Sequence, residues 1–315
     1  MPRINVIDTF AIPVPYYDTL KDLGIVAICT DVPIAEEITL KRAAGADVLV
    51  VNKTRLTAAV IGRLDDSVRL VAETASGYDN IDLAAAAARG ITVCNVPGYS
   101  TDSVAEHAFA LILAVARNLR PGIEQVQAGG WLAEHLMGME LGGTTLGVVG
   151  FGRIGRAVCR IAEGFRMRVL VHTGRPEVYQ AAHPQYVFVP LDRLVAEADI
   201  ITLHIPHAPA TDKLMNAGRI GRMKPGAMLV NTSRGRVVDE EALVAALREG
   251  RIRVGLDVVA AEPIAAGHPL IGLPNALVVP HVGWYTEAAV TRLMQVTHDN
   301  IAAFFVGRPR NAVTA

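Results

Sequence analysis

Three ionisable side chains that can bind an anion or move a proton each follow an apolar run by a few residues. They are Arg234, Glu262 and His281. Short continuous runs of Val, Ile and Leu are typical of parallel strands, and ligands of open α/β sheets bind outside the carboxyl ends of such strands. The sequence therefore predicts that the three residues converge on one site. The runs that precede them are 227–231, 253–258 and 276–279.

Each of these residue types suits one part of hydride transfer to a 2-oxo acid. The planar guanidinium of Arg234 can bind a carboxylate or a carbonyl oxygen. His281 can donate a proton to the carbonyl oxygen as hydride arrives, and Glu262 beside it would orient the ring and favour its protonated form. Taken singly, the arginine could equally form a structural ion pair, the glutamate could be a surface acid, and the histidine could have no catalytic part.

A glycine loop with the spacing GxGxxG lies upstream, between a predicted strand at 145–149 and a predicted helix at 153–163. In this context the first glycine permits a tight turn, the second admits a pyrophosphate close to the backbone, and the third allows close helix–strand packing. The N–H groups at the helix N-terminus then face the phosphates. The segment predicts a dinucleotide cofactor, against the alternative of a purely structural turn. The residues expected to contact it are Gly150, Gly152, Arg153, Ile154 and Gly155.

The turn after the next predicted strand bears on the choice of cofactor. NAD sites of this kind place an acidic residue about 20 residues beyond the glycine loop, but no acid occurs at 172–175 and the first is Glu177. Thr173 and Arg175 could donate instead to a 2′-phosphate, with a charge-assisted bond from the arginine. We therefore expect NADPH to be preferred, with NAD as a possible cofactor; the alternative is a solvated loop arginine.

Composition excludes several classes of partner and site. The chain has 315 residues, 30 of them basic and 31 acidic, which gives a net charge of −1. Such a charge does not favour electrostatic binding of nucleic acid or of an anionic membrane as the main partner. No apolar run reaches the roughly 18 residues of a membrane span. Three separated cysteines without a CxxC pair predict buried thiols in a reducing, cytoplasmic compartment, with neither a disulfide frame nor a metal site.

Two series of predicted strands alternate with helix-length segments, which indicates an α/β protein with parallel sheets. A long apolar helix at 104–118 separates the series, and Ser103 with Glu106 has the spacing of a capping box at its start. An amphipathic helix is predicted at 286–307. The predicted strands are 4–8, 25–29, 47–51, 68–72, 145–149, 169–172, 199–204, 227–231, 253–258 and 276–279.

Motifs along nearly the whole chain resemble those of the D-isomer-specific 2-hydroxyacid dehydrogenases, in the family's order. In addition to the glycine loop, they are Ser76–Asp82, Asn95–Gly98, Val104–His107, Lys224–Gly235, Glu262-Pro263 and Pro280-His281. The resemblance implies two Rossmann-like domains with parallel sheets and an active site in the interdomain cleft. It also implies a substrate domain of 1–99 plus 288–315, a dinucleotide-binding domain of 100–287, and a homodimer formed through the cofactor domains.

The resemblance also implies roles for particular residues. Ser76 and Gly77 would hold the substrate carboxylate together with Arg234, and the catalytic set would be Arg234, Glu262 and His281. Further cofactor contacts would come from Val104, Asp257, His281 and Gly283, with Asp257 at the nicotinamide carboxamide.

Shorter segments favour one branch of the family. Asn52-Lys53, His281–Trp284 and the Thr173–Arg175 turn resemble glyoxylate/hydroxypyruvate reductases, which include the glycerate dehydrogenases. The formate dehydrogenase branch has glutamine where Glu262 stands. Two alternatives remain open: reduction of bulkier 2-oxo acids, and a non-catalytic corepressor that senses nucleotides. A panel of 2-oxo acids tested with both cofactors discriminates among them.

Overall fold

The structure is a computed structural model that describes residues 1–314. Its strands are β1 (Arg3–Val6), β2 (Ile25–Ile28), β3 (Val48–Val51), β4 (Leu70–Glu73), β5 (Thr92–Cys94), β6 (Thr145–Val149), β7 (Arg168–His172), β8 (Val187–Phe188), β9 (Ile200–Leu203), β10 (Met228–Asn231), β11 (Arg253–Leu256), β12 (Ala276–Val278) and β13 (Ala312–Val313).

The α-helices alternate with these strands, as α/β folds require. They are α1 (Glu36–Ala43), α2 (Ala58–Gly62), α3 (Leu83–Ala88), α4 (Thr101–Ala116), α5 (Leu119–Gln127), α6 (Arg153–Gly164), α7 (Pro176–Tyr179), α8 (Leu191–Glu197), α9 (Ala217–Arg222), α10 (Glu240–Arg248) and α11 (Glu287–Phe305). Short 3-10 helices occur at Val14–Leu20, Gln180–Ala182 and Gly235–Val237.

The chain divides into two compact units. The first contains Met1–Ser100 and the residues from Tyr285 onward, and the second contains Thr101–Trp284. The sheet of the first unit has the strand order β13-β5-β4-β3-β1-β2, and only its edge strand β13 is antiparallel to its neighbour. Val48–Val51 in the middle of this sheet are completely buried, which explains the continuous apolar run in the sequence.

The second unit contains an entirely parallel sheet with the order β12-β11-β10-β9-β6-β7-β8. Buried side chains of α4 and α6 form one apolar layer on this sheet. Those of α8, α9 and α10 form the other. Both faces are therefore covered, and ligands can reach the sheet only at its edges. The predicted α/β class with parallel sheets is confirmed.

All ten predicted strands are present, with ends shifted by at most two residues. Sequence reasoning missed β5, β8 and β13, which have three, two and two residues and are too short for a periodic pattern. The capping box at Ser103 and Glu106 is wrong. Helix α4 already begins at Thr101, so Ser103 lies inside the helix, and Asp102 occupies the first turn, where the helix dipole favours a negative charge.

The predicted C-terminal helix is confirmed as α11. Its first turn is capped by Thr286, whose side chain accepts a hydrogen bond from the N–H of Ala289 at 3.2 Å. Within the part of the chain that the structure describes, no helix has both the length and the apolar character needed to cross a membrane.

Candidate active site

The glycine loop Gly150–Gly155 leaves β6 at the point where the strand order of the second unit reverses. Gly150 has a φ of +100°, and a Cβ at this position would run into the carbonyl group of His204. A Cβ at Gly155 would collide with the carbonyl oxygen of Gly150. At Gly152, by contrast, a Cβ would meet no atom within 4 Å. The first and third glycines are therefore needed for packing, and the second leaves an open surface.

The N-terminus of α6 presents donors to that open surface. Gly152 is the N-cap residue, and no side chain there accepts a hydrogen bond from the first turn of this twelve-residue helix. Uncapped N–H groups next to an open backbone form an anion site. The loop thus fits the pyrophosphate of a dinucleotide.

The turn after β7 lies beside this loop because β7 and β6 are paired. Arg175 is exposed, and its N–H lies 3.5 Å from the hydroxyl oxygen of Thr173. Within residues 1–314 its guanidinium forms no ion pair. The turn therefore presents an uncompensated cation at the position where the sequence predicts a 2′-phosphate contact.

His281 and Glu262 are in direct contact. Nδ1 of His281 lies 2.7 Å from Oε2 of Glu262, and both side chains are about a quarter to a third exposed. A carboxylate at Nδ1 accepts the proton of that nitrogen and orients the ring, which leaves Nε2 for exchange of a proton with a ligand. This geometry suits a general acid whose ring is positioned by a carboxylate.

The loop that carries His281 is anchored by Asp257, which follows β11. The carboxylate of Asp257 accepts hydrogen bonds from the N–H of Val282 at 2.7 Å and of Gly283 at 3.0 Å. Its carbonyl oxygen accepts from the N–H of His281 at 2.8 Å. His281 has a φ of +54°, a region that side chains enter only when the surroundings hold them there. Asp257 provides these restraints.

The environment of Asp257 keeps its carboxylate ionised. Burial alone would raise the pKa of Asp257, but the contact with His107 and the N–H bonds from Gly283 and Val282 hold the pKa below its ordinary value. Nε2 of His107 lies 3.3 Å from Oδ1 of Asp257. Sequence reasoning missed His107 as part of this site, although a histidine inside the apolar pattern of α4 was a detectable signal.

Arg234 lies on a turn after β10 that Asn231 shapes. The side-chain amide of Asn231 donates to the carbonyl oxygen of Arg234 at 2.8 Å, and its oxygen accepts from the N–H of Ser233 at 3.0 Å. A Cβ at Gly235 would run into the backbone of 259–260. The arginine turn therefore packs directly against the segment that leads to Glu262.

Another histidine, His204 at the end of β9, is uncharged at neutral pH. Its burial lowers the pKa to about 3, and its Nε2 lies 2.9 Å from the hydroxyl oxygen of Thr202.

Val104, a predicted cofactor contact, is buried on α4.

The predicted substrate loop belongs to the first unit. The hydroxyl of Ser76 donates to the carbonyl oxygen of Val96 at 2.7 Å, and the amide of Asn95 donates to the carbonyl oxygen of Ser76 at 2.7 Å. Gly77 follows directly. The second unit, meanwhile, gathers Arg234, Glu262 and His281 after three neighbouring strands, β10, β11 and β12.

Comparison with known proteins assigns the family. The model of the D-isomer specific 2-hydroxyacid dehydrogenase NAD binding domain matches residues 109–283. This chain belongs to the D-isomer-specific 2-hydroxyacid dehydrogenase family. The resemblance seen in the sequence is thereby confirmed, and the chain is an oxidoreductase of CH–OH groups that uses a nicotinamide cofactor.

Relatives of this dehydrogenase match almost its full length. It is 37% identical over 289 residues to glycerate dehydrogenase of Methylorubrum extorquens, covering 89% of each chain. It is 39% identical over 291 residues to glyoxylate reductase of Korarchaeum cryptofilum, covering 90% of this chain and 87% of the other. The crystal structure of the TT0316 protein from Thermus thermophilus matches 99% of this chain and all of its own, with a TM-score of 0.91 and 39% identity.

Proposed function

We propose that this dehydrogenase reduces glyoxylate to glycolate, or hydroxypyruvate to D-glycerate, with NADPH, and that His281 supplies the proton. The observation that carries the proposal is the 2.7 Å contact between His281 Nδ1 and Glu262 Oε2. It lies at the same edge of the sheet as Arg234 and the glycine loop. The glycerate dehydrogenase and glyoxylate reductase among the relatives support the choice of substrate.

Arg234 binds and polarises the substrate in this proposal. Its guanidinium donates to the substrate carboxylate or to the C2 carbonyl oxygen, where negative charge develops as the carbonyl is reduced. Ser76 and Gly77 hold the carboxylate from the first unit.

His281 performs the proton transfer. As an imidazolium, with Nδ1–H donating to Glu262, it gives its Nε2 proton to the carbonyl oxygen and becomes neutral. In the oxidation direction the neutral ring takes the hydroxyl proton back. Glu262 and Asp257 act through His281, the first by orienting the ring and the second by restraining its backbone.

The cofactor site is assigned to residues that fit a dinucleotide. Gly150, Gly152, Arg153, Ile154 and Gly155 would hold the pyrophosphate, and Thr173 with Arg175 the 2′-phosphate. Val104, Asp257, His281 and Gly283 would contact the nicotinamide end. When bound, the nicotinamide supplies the hydride that becomes the C2 hydrogen of the product. The uncompensated charge of Arg175 supports NADPH over NADH.

A panel of 2-oxo acids tests this proposal. Values of kcat/KM should be measured for glyoxylate, hydroxypyruvate, phenylpyruvate and 2-oxoisocaproate with NADPH and with NADH, and the product should be resolved on a chiral column. We expect the two small substrates and NADPH to give the highest values, and the product of hydroxypyruvate to be D-glycerate. Higher kcat/KM values for phenylpyruvate and 2-oxoisocaproate would show that the substrates are bulkier 2-oxo acids. Nucleotide binding without turnover would favour a corepressor.

The proposed enzyme is a homodimer that associates through α5 and the segment after it. Helix α5 has no buried residue, and Leu119, Ile123 and Val126 lie on one face of it. Trp131 and Met137 in the following segment are 86% and 92% exposed. Aromatic and methionine side chains are enriched in interfaces between subunits. A second copy that covers this surface would remove it from water.

Sedimentation velocity tests the dimer. Trp131→Ser should shift the protein toward the monomer, whereas Ile271→Ser, at another exposed apolar residue of the same unit, should not. A monomeric wild-type protein, or a Trp131→Ser variant that remains fully dimeric, would contradict this assignment.

The proposed location is the cytoplasm, which the three free cysteines support.

A further inference from the structure

The turn after β3 in the first unit is held by a completely buried carboxylate. Asp8 accepts hydrogen bonds from the backbone N–H groups of Asn52, Lys53 and Thr54 at 3.3, 3.2 and 3.1 Å. The hydroxyl of Thr54 also donates to Asp8. These bonds satisfy the carboxylate and restrain the backbone of Lys53.

The same turn is bonded to the segment that carries the predicted substrate loop. The amide of Asn52 donates to the carbonyl oxygen of Thr74 at 2.8 Å. The amide of Asn80 donates to the carbonyl oxygens of Asn52 and Thr54 at 3.3 and 3.0 Å. Strands β3 and β4 are parallel neighbours with Val51 opposite Glu73. Lys53 and the Ser76–Gly77 loop therefore leave the sheet at the same edge from adjacent strands.

The ammonium of Lys53 contacts an aromatic ring, and no carboxylate of residues 1–314 lies within ion-pair distance of it. Its side chain is half-buried, and Nζ lies 5.1 Å from the centroid of the Phe10 ring. Within residues 1–314 it forms no ion pair. Burial raises the pKa of Glu73 well above its ordinary value, which favours the neutral form of this neighbouring acid. A half-buried ammonium in these surroundings favours an external anion.

We propose that Lys53 is a specificity-determining residue that binds the carboxylate of the 2-oxo acid beside the Ser76–Gly77 loop. This inference rests on the proposed function, because it takes a 2-oxo acid to be the substrate. The ammonium is a compact charge with three donors that can approach a carboxylate oxygen. The ring of Phe10 confines it by a cation–π contact. Lys53 thus selects anionic substrates, and its contact is common to all 2-oxo acids whatever their C3 substituent.

Lys53→Met tests the inference because methionine retains an apolar stem against Phe10 and removes the charge. With saturating NADPH, the KM for glyoxylate and for hydroxypyruvate should each rise by about ten- to a hundredfold, which is the range for one charge-assisted hydrogen bond. The value of kcat should change little, since the carboxylate is bound alike in ground and transition states. Lys53→Arg should retain most of the wild-type KM.

Two controls separate substrate binding from folding. Lys41→Met removes an exposed lysine of α1 in the same unit and should leave KM unchanged. The Kd of NADPH, measured by fluorescence, should be the same in all variants. An unchanged KM in Lys53→Met, or a rise confined to hydroxypyruvate, would overturn the role of Lys53 and leave the proposed function intact. A wild-type enzyme that reduces no 2-oxo acid would overturn both.

Discussion

The first strands of the two units, β1 and β6, hold equivalent positions but continue into different turns. Each lies beside the point where the strand order of its sheet reverses, which is where α/β sheets bind ligands. After β6 come the open Gly150–Gly155 loop and the uncapped N-terminus of α6. After β1 come the buried Asp8 and a 3-10 helix, Val14–Leu20.

This difference decides which sheet can accept a nucleotide. The carboxylate of Asp8 occupies the reversal point of the first unit and accepts hydrogen bonds from the turn after β3. A phosphate there would meet the negative charge of this carboxylate. Sheet topology alone therefore does not specify a cofactor site; the residues of one turn do.

Buried carboxyl groups in the two units differ in a related way. Burial raises the pKa of Glu73 well above its ordinary value, which favours its neutral form. Asp257 is also buried, but donors from His107 and two backbone N–H groups lower its pKa. The number of donors directed at a carboxylate, more than its burial, determines whether it stays charged.

The largest effect is expected for His281→Ala, which removes the proton donor of the second unit. The value of kcat for glyoxylate reduction should fall by about 10²- to 10⁴-fold, the usual contribution of a positioned acid. The Kd of NADPH should stay nearly constant. His298→Ala, at a histidine paired with Asp22 in the first unit, serves as the control. A kcat within threefold of wild type would show that His281 is not the proton donor.

Asp257→Asn should destabilise the protein by about 1.5–3 kcal/mol at pH 7, because backbone N–H groups lose a charged acceptor. The native pKa of Asp257 lies below that of the unfolded chain, so its charge stabilises the native state above about pH 4 and this contribution is lost as pH falls. Urea midpoints at pH 7 and at about pH 2.5 should therefore differ from wild type more at the higher pH. An equal difference at both pH values would contradict an ionised Asp257 in the native protein.

Arg175→Ala should remove most of the preference for NADPH. The loss of one charge-assisted contact corresponds to about ten- to a hundredfold in kcat/KM for NADPH. The change should lie in KM, since the 2′-phosphate is remote from the reacting carbon. The values for NADH should hardly change. If the wild-type enzyme already prefers NADH, the interpretation of this turn is wrong.

Glu262→Gln should lower kcat for glyoxylate reduction and leave the Kd of NADPH unchanged. The carboxylate accepts a hydrogen bond at Nδ1 of His281 and orients the ring for proton transfer, whereas an amide can present a donor to Nδ1 instead. Steady-state rates at saturating NADPH measure the loss, and an unchanged kcat would exclude Glu262 as the partner.

The smallest effect is expected for Glu73→Gln, because burial raises the pKa of the replaced carboxyl and favours its neutral form. The free energy of unfolding at about pH 4, below the ordinary pKa of a glutamate, should change by less than about 1 kcal/mol, the size of a single neutral hydrogen bond. The raised pKa of Glu73 makes the wild-type protein less stable as pH rises above about 4.3, so the variant should become more stable than wild type over this range. Asp8→Asn is the contrasting variant, and it should lower the free energy of unfolding by more than Glu73→Gln does. A large loss in Glu73→Gln would indicate a charged glutamate.

Local patterns were sufficient for much of the fold and site. Strands such as β3 and β6 are continuous apolar runs because both faces of their sheets are covered. The glycine loop and its helix are adjacent in the chain, so their geometry follows from a few residues. Arg234, Glu262 and His281 were predictable because each follows a recognisable strand.

Contacts between distant segments were not predictable in the same way. The carboxylate of Asp257 meets the N–H of Val282 across 25 residues, and that of Asp8 meets the N–H of Asn52 across 44. No periodicity or spacing marks these partners. The positive φ of His281 likewise has no signal in its residue type.

The sequence by itself determined the α/β class, the glycine loop and the identity of the residues at the strand ends, because each depends on neighbours in the chain. Tertiary structure alone decided which carboxyl groups are charged, how the backbone of His281 is held, and that Lys53 is left without a carboxylate partner among residues 1–314. The physical reason is that ionisation and orientation depend on the donors and charges that folding brings within a few ångströms, and these come from strands far apart in sequence.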